Sequence, residues 1–250
     1  MQFIAIIPAR YHSTRFEGKP LADIAGKKMI IRTLEQVSKV KSFSKIVVAT
    51  DDKRILDTVV QAGGEAVLTS ADCPSGTDRC AMAFNELNCE EKNCVVVNIQ
   101  GDEPFINPLQ INELIDLFQN STTKIQIATL VCPIKEKSAL NDPNIVKVVF
   151  DFNYNALYFS RLAIPYKRDN STSTDNIFYR HIGIYAYQAS VLQAIVQFPK
   201  SPLETAESLE QLRWLQNGYT IKTHISHFDS PIGIDVPQDI QKAIYQSKNQ

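Results

Sequence analysis

The stretch FIAIIPARYHSTRFEGKP at residues 3–20 delivers three cations, Arg10, Arg15 and Lys19, from one loop that follows a short apolar run. Only one acid, Glu17, falls among them. Guanidinium and ammonium groups gathered on a loop with free backbone N–H groups suit a polyphosphate. Two familiar phosphate loops do not fit. A P-loop has G-x-x-x-x-G-K-[ST], but Ser13 stands at the first glycine and Pro20 at the Ser/Thr position. A dinucleotide fingerprint needs three glycines, and Gly18 is alone in this loop. Ordinary cations bathed in water are the plain alternative.

The acids offer the other half of a phosphate site. In VVVNIQGDEP (95–104), Asp102 and Glu103 follow an apolar run, where a carboxylate can hold Mg²⁺ against a phosphate. Gly-Asp and Glu-Pro are also common turn punctuation. In PIGIDVPQD (231–239), Asp235 is a second candidate, with helix capping ahead of Pro237 as its local alternative. A basic loop and a carboxylate at one strand edge suit nucleotidyl transfer. His224 and His227 (H-I-S-H) have no third ligand in view, so no metal site is assigned to them.

The elements that must position these groups alternate. Strands are expected at 3–7, 45–50, 65–69 and 94–100. Between them, helices are expected at 27–40, from Asp51 or Asp52 to Gly63, at 77–88 and at 108–118. Continuous apolar strands alternating with amphipathic helices argue for a mostly parallel sheet covered on both faces. Ligands of such sheets bind where the carboxyl ends of the strands meet the loops. After about residue 125 the rhythm changes. IQIATLVC, IVKVVFD, ALYFS and HIGIYAY read as strands with few helices between them, which suggests antiparallel additions at the sheet edge. KRDNSTSTDN (167–176) reads as a mobile loop, 202–218 as one strong helix ending at Gly218, and 236–248 as a closing helix.

Composition narrows the partners. The chain has 250 residues and a formal net charge of −1, so nothing asks for nucleic acid, which is bound by a broad basic surface. Five cysteines with no C-x-x-C spacing read as reduced thiols of a cytoplasmic protein. No apolar run approaches membrane-spanning length, and no leader is read before the first strand. No clean domain boundary is visible, so 1–250 is taken as one domain.

IPARYHSTRFEGKPL, VATDD, SGTDR, NIQGDEP, PNIVKVV, ALYFSRLAIPY, YRHIGIYAY, SPLETAESLEQLRWL and GIDVPQDI, in this order, resemble the 3-deoxy-manno-octulosonate (Kdo) cytidylyltransferases, or CMP-Kdo synthetases. The first and fourth are shared with related cytidylyltransferases, whereas RHIGIYAY with PLETAESLEQLR points to the Kdo branch. Three positions depart from the pattern: Glu17 replaces the usual Pro, Cys73 a common His and His12 a frequent Ala. Glu17 is expected to weaken the local positive field.

The resemblance implies an α/β, Rossmann-like nucleotide-sugar transferase fold, a homodimer, Mg²⁺, and the activation of Kdo by CTP for lipopolysaccharide biosynthesis. It implies a nucleotide-binding half over 1–125 and a sugar-acid and dimerisation half over 126–250. Pro8, Ala9 and Arg10 would approach the nucleotide, with Ser13, Thr14 and Lys19 along the triphosphate. Ser75, Gly76 and Arg79 would border cytosine and ribose. Gln100 and Asp102 would lie between nucleotide and sugar acid, and Asp102 and Asp235 would hold Mg²⁺. Arg15, Arg161, His181, Tyr185, Glu210 and Gln211 would line the Kdo pocket. Arg10, Lys19, Asp102 and Asp235 would carry the reaction. From the residues alone, Glu210 and Gln211 could instead form a solvated helix face, His181 and Tyr185 a buried pair, and Arg161 a structural brace. A transferase for another sugar acid such as a sialic acid, a sugar-1-phosphate nucleotidyltransferase and a CTP sensor without turnover are the competing functions.

Overall fold

The structure, a computed structural model, describes residues 1–168, 177–229 and 233–247. The turn-rich stretch at 167–176 falls, from 169 on, outside the described residues. In the first half β1 (Gln2–Ala9) is followed by β2 (Asp23–Ile24), β3 (Lys27–Lys28), α1 (Met29–Val37), β4 (Phe43–Thr50), α2 (Lys53–Gln61), β5 (Glu65–Leu68), α3 (Gly76–Glu86), β6 (Cys94–Asn98) and α4 (Pro108–Asn120). The second half runs β7 (Ile127–Pro133), α5 (Lys137–Asn141), β8 (Lys147–Phe150), β9 (Ala156–Ser160), β10 (Tyr179–Gln188), α6 (Ala189–Ile195), α7 (Pro202–Glu207), α8 (Gln211–Gln216), β11 (Ile221–Ile225) and α9 (Asp239–Ser247).

The main sheet has the order β11-β7-β10-β6-β1-β4-β5. β1 pairs in parallel with both β4 and β6, β4 with β5, and β7 with β11. Side chains alternate across the sheet by period two. Phe3, Ala5, Ile7, Val95 and Val97 pack on one face with Ile30 and Leu34 of α1 and Leu114 of α4. Ile4, Ile6, Cys94 and Val96 pack on the other with Phe84 of α3 and Trp214 of α8. Both faces are dry, which is why these strands read as continuous apolar runs.

The antiparallel strands are not confined to the edge, as the sequence had suggested. β10 runs antiparallel between β6 and β7, in the middle of the sheet, and β8 and β9 extend from it. Its register slips between Ile182 and Tyr185, so its first half reaches β8 while its second half pairs with β6. The short β2, β3 and α5 escaped the sequence reading, as did α6 and β11, although Ile221, Thr223 and Ile225 alternate as a half-buried strand should. α1 begins later than expected because Lys27 and Lys28 pair with β2.

The expected helix at 202–218 is two helices. Ser201 and Glu204 form a reciprocal capping box at the start of α7, with Pro202 in the first turn. Ser208 then takes a left-handed conformation (φ 52°, ψ 48°) and ends it. In an unbroken helix, nine residues would hold Glu204 and Arg213 ~13.5 Å apart. With the break, Arg213 Nε and Nη2 donate to the Glu204 carboxylate at 2.8 and 2.6 Å, with both side chains buried. Trp214 is thereby turned into the core, edge-on to Tyr185 and Tyr187.

Candidate active site

The carboxyl ends of β1 and β6 open into a cleft of ≈ 260 Å³. Of the residues expected there, Pro8, Ala9, Arg10, Ser13, Arg15, Lys19, Ser75, Gly76, Arg79, Gln100, Asp102 and Asp235 line it. Pro20, Met29, Cys73, Pro74 and Gly101 complete the lining and were not anticipated. Gly101 is required by proximity: a Cβ there would sit 2.8 Å from the Pro8 carbonyl oxygen, forcing the end of β1 away.

The basic loop is a built structure. Gly18, at φ 66°, donates its N–H to the Tyr11 carbonyl at 2.9 Å and closes the loop on itself. Asp51 accepts from the Tyr11 N–H and from Arg79 Nη2, both at 3.2 Å. Asp51 and Arg79 are almost fully buried, so this pair anchors the loop to α3. The tandem acids of VATDD therefore divide their work. Asp52 caps α2 by accepting the Arg54 N–H, and Asp51 holds the loop. Sequence reading assigned capping to either one; only one can cap, and the other is the positioning residue it missed. Arg79 is correspondingly committed: it also donates to Thr69 Oγ1 (2.5 Å) and the Ser70 carbonyl (3.3 Å).

Lys19 sits between the two carboxylates expected to hold a metal. Its Nζ donates to Asp102 Oδ2 at 2.7 Å and to Asp235 Oδ1 at 3.4 Å. Arg15 adds a two-pronged contact to Asp235, at 3.0 and 3.1 Å. The Lys19 side chain is 13 % exposed, so its pairing with Asp102 is shielded, whereas Arg15 and Asp235 are at least half exposed and that contact is screened by water. Asp235 is not a helix cap; it faces the cleft. Glu17 pairs with His12 at 3.4 Å, both well exposed and outside the cleft lining. Thr14 is exposed and also outside the lining.

Beside this cleft lies a second group of expected residues. Gln100 Nε2 reaches the Gly183 carbonyl of β10 at 3.5 Å. On the same strand, His181 and Tyr185 have ring centroids 5.1 Å apart. The Tyr185 hydroxyl is buried without a hydrogen-bond partner among the described residues, and burial pushes its pKa well up. Thr129 Oγ1 donates to the Ile184 carbonyl at 2.7 Å, so at its 2.9 Å contact the His181 Nε2–H is the donor. Nδ1 then carries the lone pair and can accept. Glu210 and Gln211 are not on a solvated face. Glu210 accepts from Ser75 Oγ at 2.9 Å and Thr77 Oγ1 at 2.8 Å, and burial raises its pKa. Gln211 is 6 % exposed. Glu210 thus ties the start of α8 to the first turn of α3, which borders the cleft.

Arg161 behaves as a brace. Its Nε, Nη1 and Nη2 donate to the carbonyls of Glu207, Pro143 and Ser208, which use three of its five N–H donors and hold the fork in place. Its own carbonyl accepts from the fully buried Lys147, whose Nζ also donates to the Asp142 and Ile145 carbonyls.

His181 carries a pH dependence. Burial, reinforced by Arg180, lowers its pKa from 6.5 to about 3. The unfolded chain therefore takes up this proton first as pH falls. The stability contributed by the neutral ring is fully present above pH 6.5 and is lost as pH falls towards 3. By pH 5 the loss is up to about 2 kcal/mol. Urea midpoints measured from pH 7 to 5 should fall for the native chain and fall less for His181→Gln; parallel curves would remove His181 as the source.

The comparisons with known proteins agree on one family. A family model described as cytidylyltransferase matches residues 4–223. The chain is 52 % identical over 251 residues to a 3-deoxy-manno-octulosonate cytidylyltransferase of Parabacteroides distasonis, spanning 98 % of this chain and 97 % of the relative. It is 48 % identical to an 8-amino-3,8-dideoxy-manno-octulosonate cytidylyltransferase of Shewanella sediminis, spanning 96 % of each. The fold matches a solved CMP:2-keto-3-deoxy-manno-octonic acid synthetase complexed with CTP, at TM-score 0.91 and 37 % identity, over 100 % of this chain and 99 % of that one.

Proposed function

The chain belongs to the cytidylyltransferase family, and from that premise we propose that it joins CTP to Kdo, giving CMP-Kdo and pyrophosphate. It is a nucleotidyltransferase. The observation that carries the reading is the convergence of Lys19, Asp102 and Asp235, from three distant segments, in one cleft lined also by Arg10.

In this reaction the anomeric hydroxyl of Kdo attacks the α-phosphorus of CTP. A sugar O–P bond forms as the hydroxyl gives its proton to solvent, the bond between the α-phosphorus and the bridging oxygen breaks, and the electron pair leaves with pyrophosphate. Such a transfer depends on alignment and charge neutralisation more than on covalent chemistry. Arg10 and Lys19 are assigned to the charge that grows on pyrophosphate, with Pro8, Ala9 and Ser13 along the nucleotide. Asp102 and Asp235 are assigned to Mg²⁺. The fit is supported by Lys19, whose ammonium already lies between both carboxylates as a cation would. Mg²⁺ bound there supplies positive charge at the α-phosphate and favours ionisation of the attacking hydroxyl. The sugar acid is assigned to the neighbouring group of Gln100, His181, Tyr185, Glu210 and Gln211. Convergent donors and acceptors around an unpartnered tyrosine hydroxyl suit a polyhydroxylated ring. Arg15 and Arg161 are the guanidinium groups assigned to its carboxylate.

We place the protein in the cytoplasm, in keeping with five free cysteines. No helix among the described residues is long and apolar enough to cross a membrane. A homodimer is supported by Phe152, Leu157, Leu162 and Tyr166, which stand more than half exposed at and around β8 and β9.

Pyrophosphate release tests the reading. CTP should release it only with Kdo present. Turnover with a sialic acid but not Kdo would replace the substrate, and tight CTP binding with no turnover of any acid would make the protein a sensor. Including 8-amino-3,8-dideoxy-manno-octulosonate in the panel distinguishes the chemistry named for the Shewanella relative.

A further inference from the structure

At the sheet margin, away from the cleft, H-I-S-H finds the third ligand that its sequence lacked. Glu113 projects from α4, which packs across β7, β10 and β11, towards His224 in β11 and His227 just beyond it. Glu113 Oε1 lies 3.0 Å from His227 Nδ1 and 3.9 Å from His224 Nε2, and the three ligand atoms lie within 4.8 Å of one another. They border an open groove of ≈ 500 Å³ that also includes Asp116. We propose that Glu113, His224 and His227 form a binding site for a divalent borderline metal of the Zn²⁺ type, with a fourth position open to water.

The geometry is close to what such an ion needs. Bonds of ~2.0–2.2 Å to imidazole nitrogen and carboxylate oxygen put the corners of a tetrahedron ~3.3–3.5 Å apart. The two spacings to Glu113 bracket that value, so closure takes small rotations, chiefly of the exposed His227 ring. The carboxylate is already aimed: Ser226 Oγ donates to Oε2 at 2.6 Å and the His227 N–H donates to Oε1 at 2.9 Å. Outer contacts of this kind orient a metal-binding carboxylate. Two imidazoles and one carboxylate favour Zn²⁺ over Mg²⁺, which prefers oxygen. β11 stands three strand positions from β6, on the order of 15 Å away, so the ion would not touch the reacting phosphates. It would instead cross-link α4 to the stretch that leads from β11 towards Asp235.

Co²⁺ reports the ligand set directly. Full-length protein without a histidine tag should bind a Co²⁺ with tetrahedral visible absorption, and Zn²⁺ should displace it. His227→Ala, at a ring that is 77 % exposed, should weaken binding by at least ~10-fold while its melting temperature without metal stays unchanged. Glu113→Gln should do likewise, and Asp102→Asn should bind Co²⁺ as the native chain does. Excess Mg²⁺ should not compete. Absence of binding, native affinity in His227→Ala, displacement by Mg²⁺, or a thiolate-to-cobalt band would each overturn the proposal; the last two would move the ion to the cleft acids or to a cysteine.

Discussion

Asp102→Asn is expected to lose turnover by at least ~100-fold while CTP binding survives in part, because preorganised charge at the transferring phosphoryl group carries that much of the rate. The substitution keeps the shape of the side chain and removes its charge. Lys19 Nζ then loses its 2.7 Å partner and leans on Asp235 alone. Arg10, Ser13 and the end of β1 still line the cleft, so the nucleotide keeps much of its seat. Asp102 is 31 % exposed, and the fold does not depend on it. Pyrophosphate release and equilibrium CTP binding, measured on the same preparation, separate the two effects. Native turnover in this variant would take Asp102 out of the reaction.

Arg213→Met should produce the largest fall in stability. It leaves the Glu204 carboxylate buried with its bidentate partner gone, which costs about 3 kcal/mol or more and lowers Tm on the order of 10 °C. Removing both charges, in Glu204→Gln with Arg213→Met, should recover part of that loss, because the expense lies in the orphaned charge rather than in the missing attraction. Thermal denaturation of the two variants beside the native chain decides the matter. A single variant that melts with the native chain would show that the ion pair does not hold the break between α7 and α8. The effect should also reach the cleft, since Glu210 at that break accepts from Ser75 and Thr77.

Local chemistry made the first half of the fold legible. Ile4, Ile6 and Val96 on one face of the sheet, with Phe3, Ile7 and Val95 on the other, announce strands buried on both sides, and helices between them follow from apolar spacing. The basic loop and NIQGDEP were likewise visible, since charge beside an apolar strand is a local signal. What escaped depends on distant partners. PLETAESLEQLRWL has uninterrupted helical spacing, and the left-handed Ser208 in its middle goes with distant partners: Arg213 on Glu204, and Arg161 on the Glu207 and Ser208 carbonyls. HIGIYAY reads as a strand, but nothing in it says that it enters the sheet interior in reverse. Asp51 looks like a helix cap until Arg79 and the Tyr11 N–H are seen beside it. Glu113 lies far from H-I-S-H in the chain, and only β11 seated against α4 brings them together.

Synthesis of this chain must tolerate a long wait. A ribosome that has released the protein only as far as β9 has emitted CVVVN and IATLVCP, two apolar strands that each await a neighbour still to come. β6 then has an open side next to β1, and β7 has no strand to pair with at all, because both of its neighbours, β10 and β11, follow it in the chain. Such unpaired edges are templates for mispairing, and segments so far apart join slowly. Those edges stay open until Tyr179–Gln188 has left the exit tunnel and closed the gap.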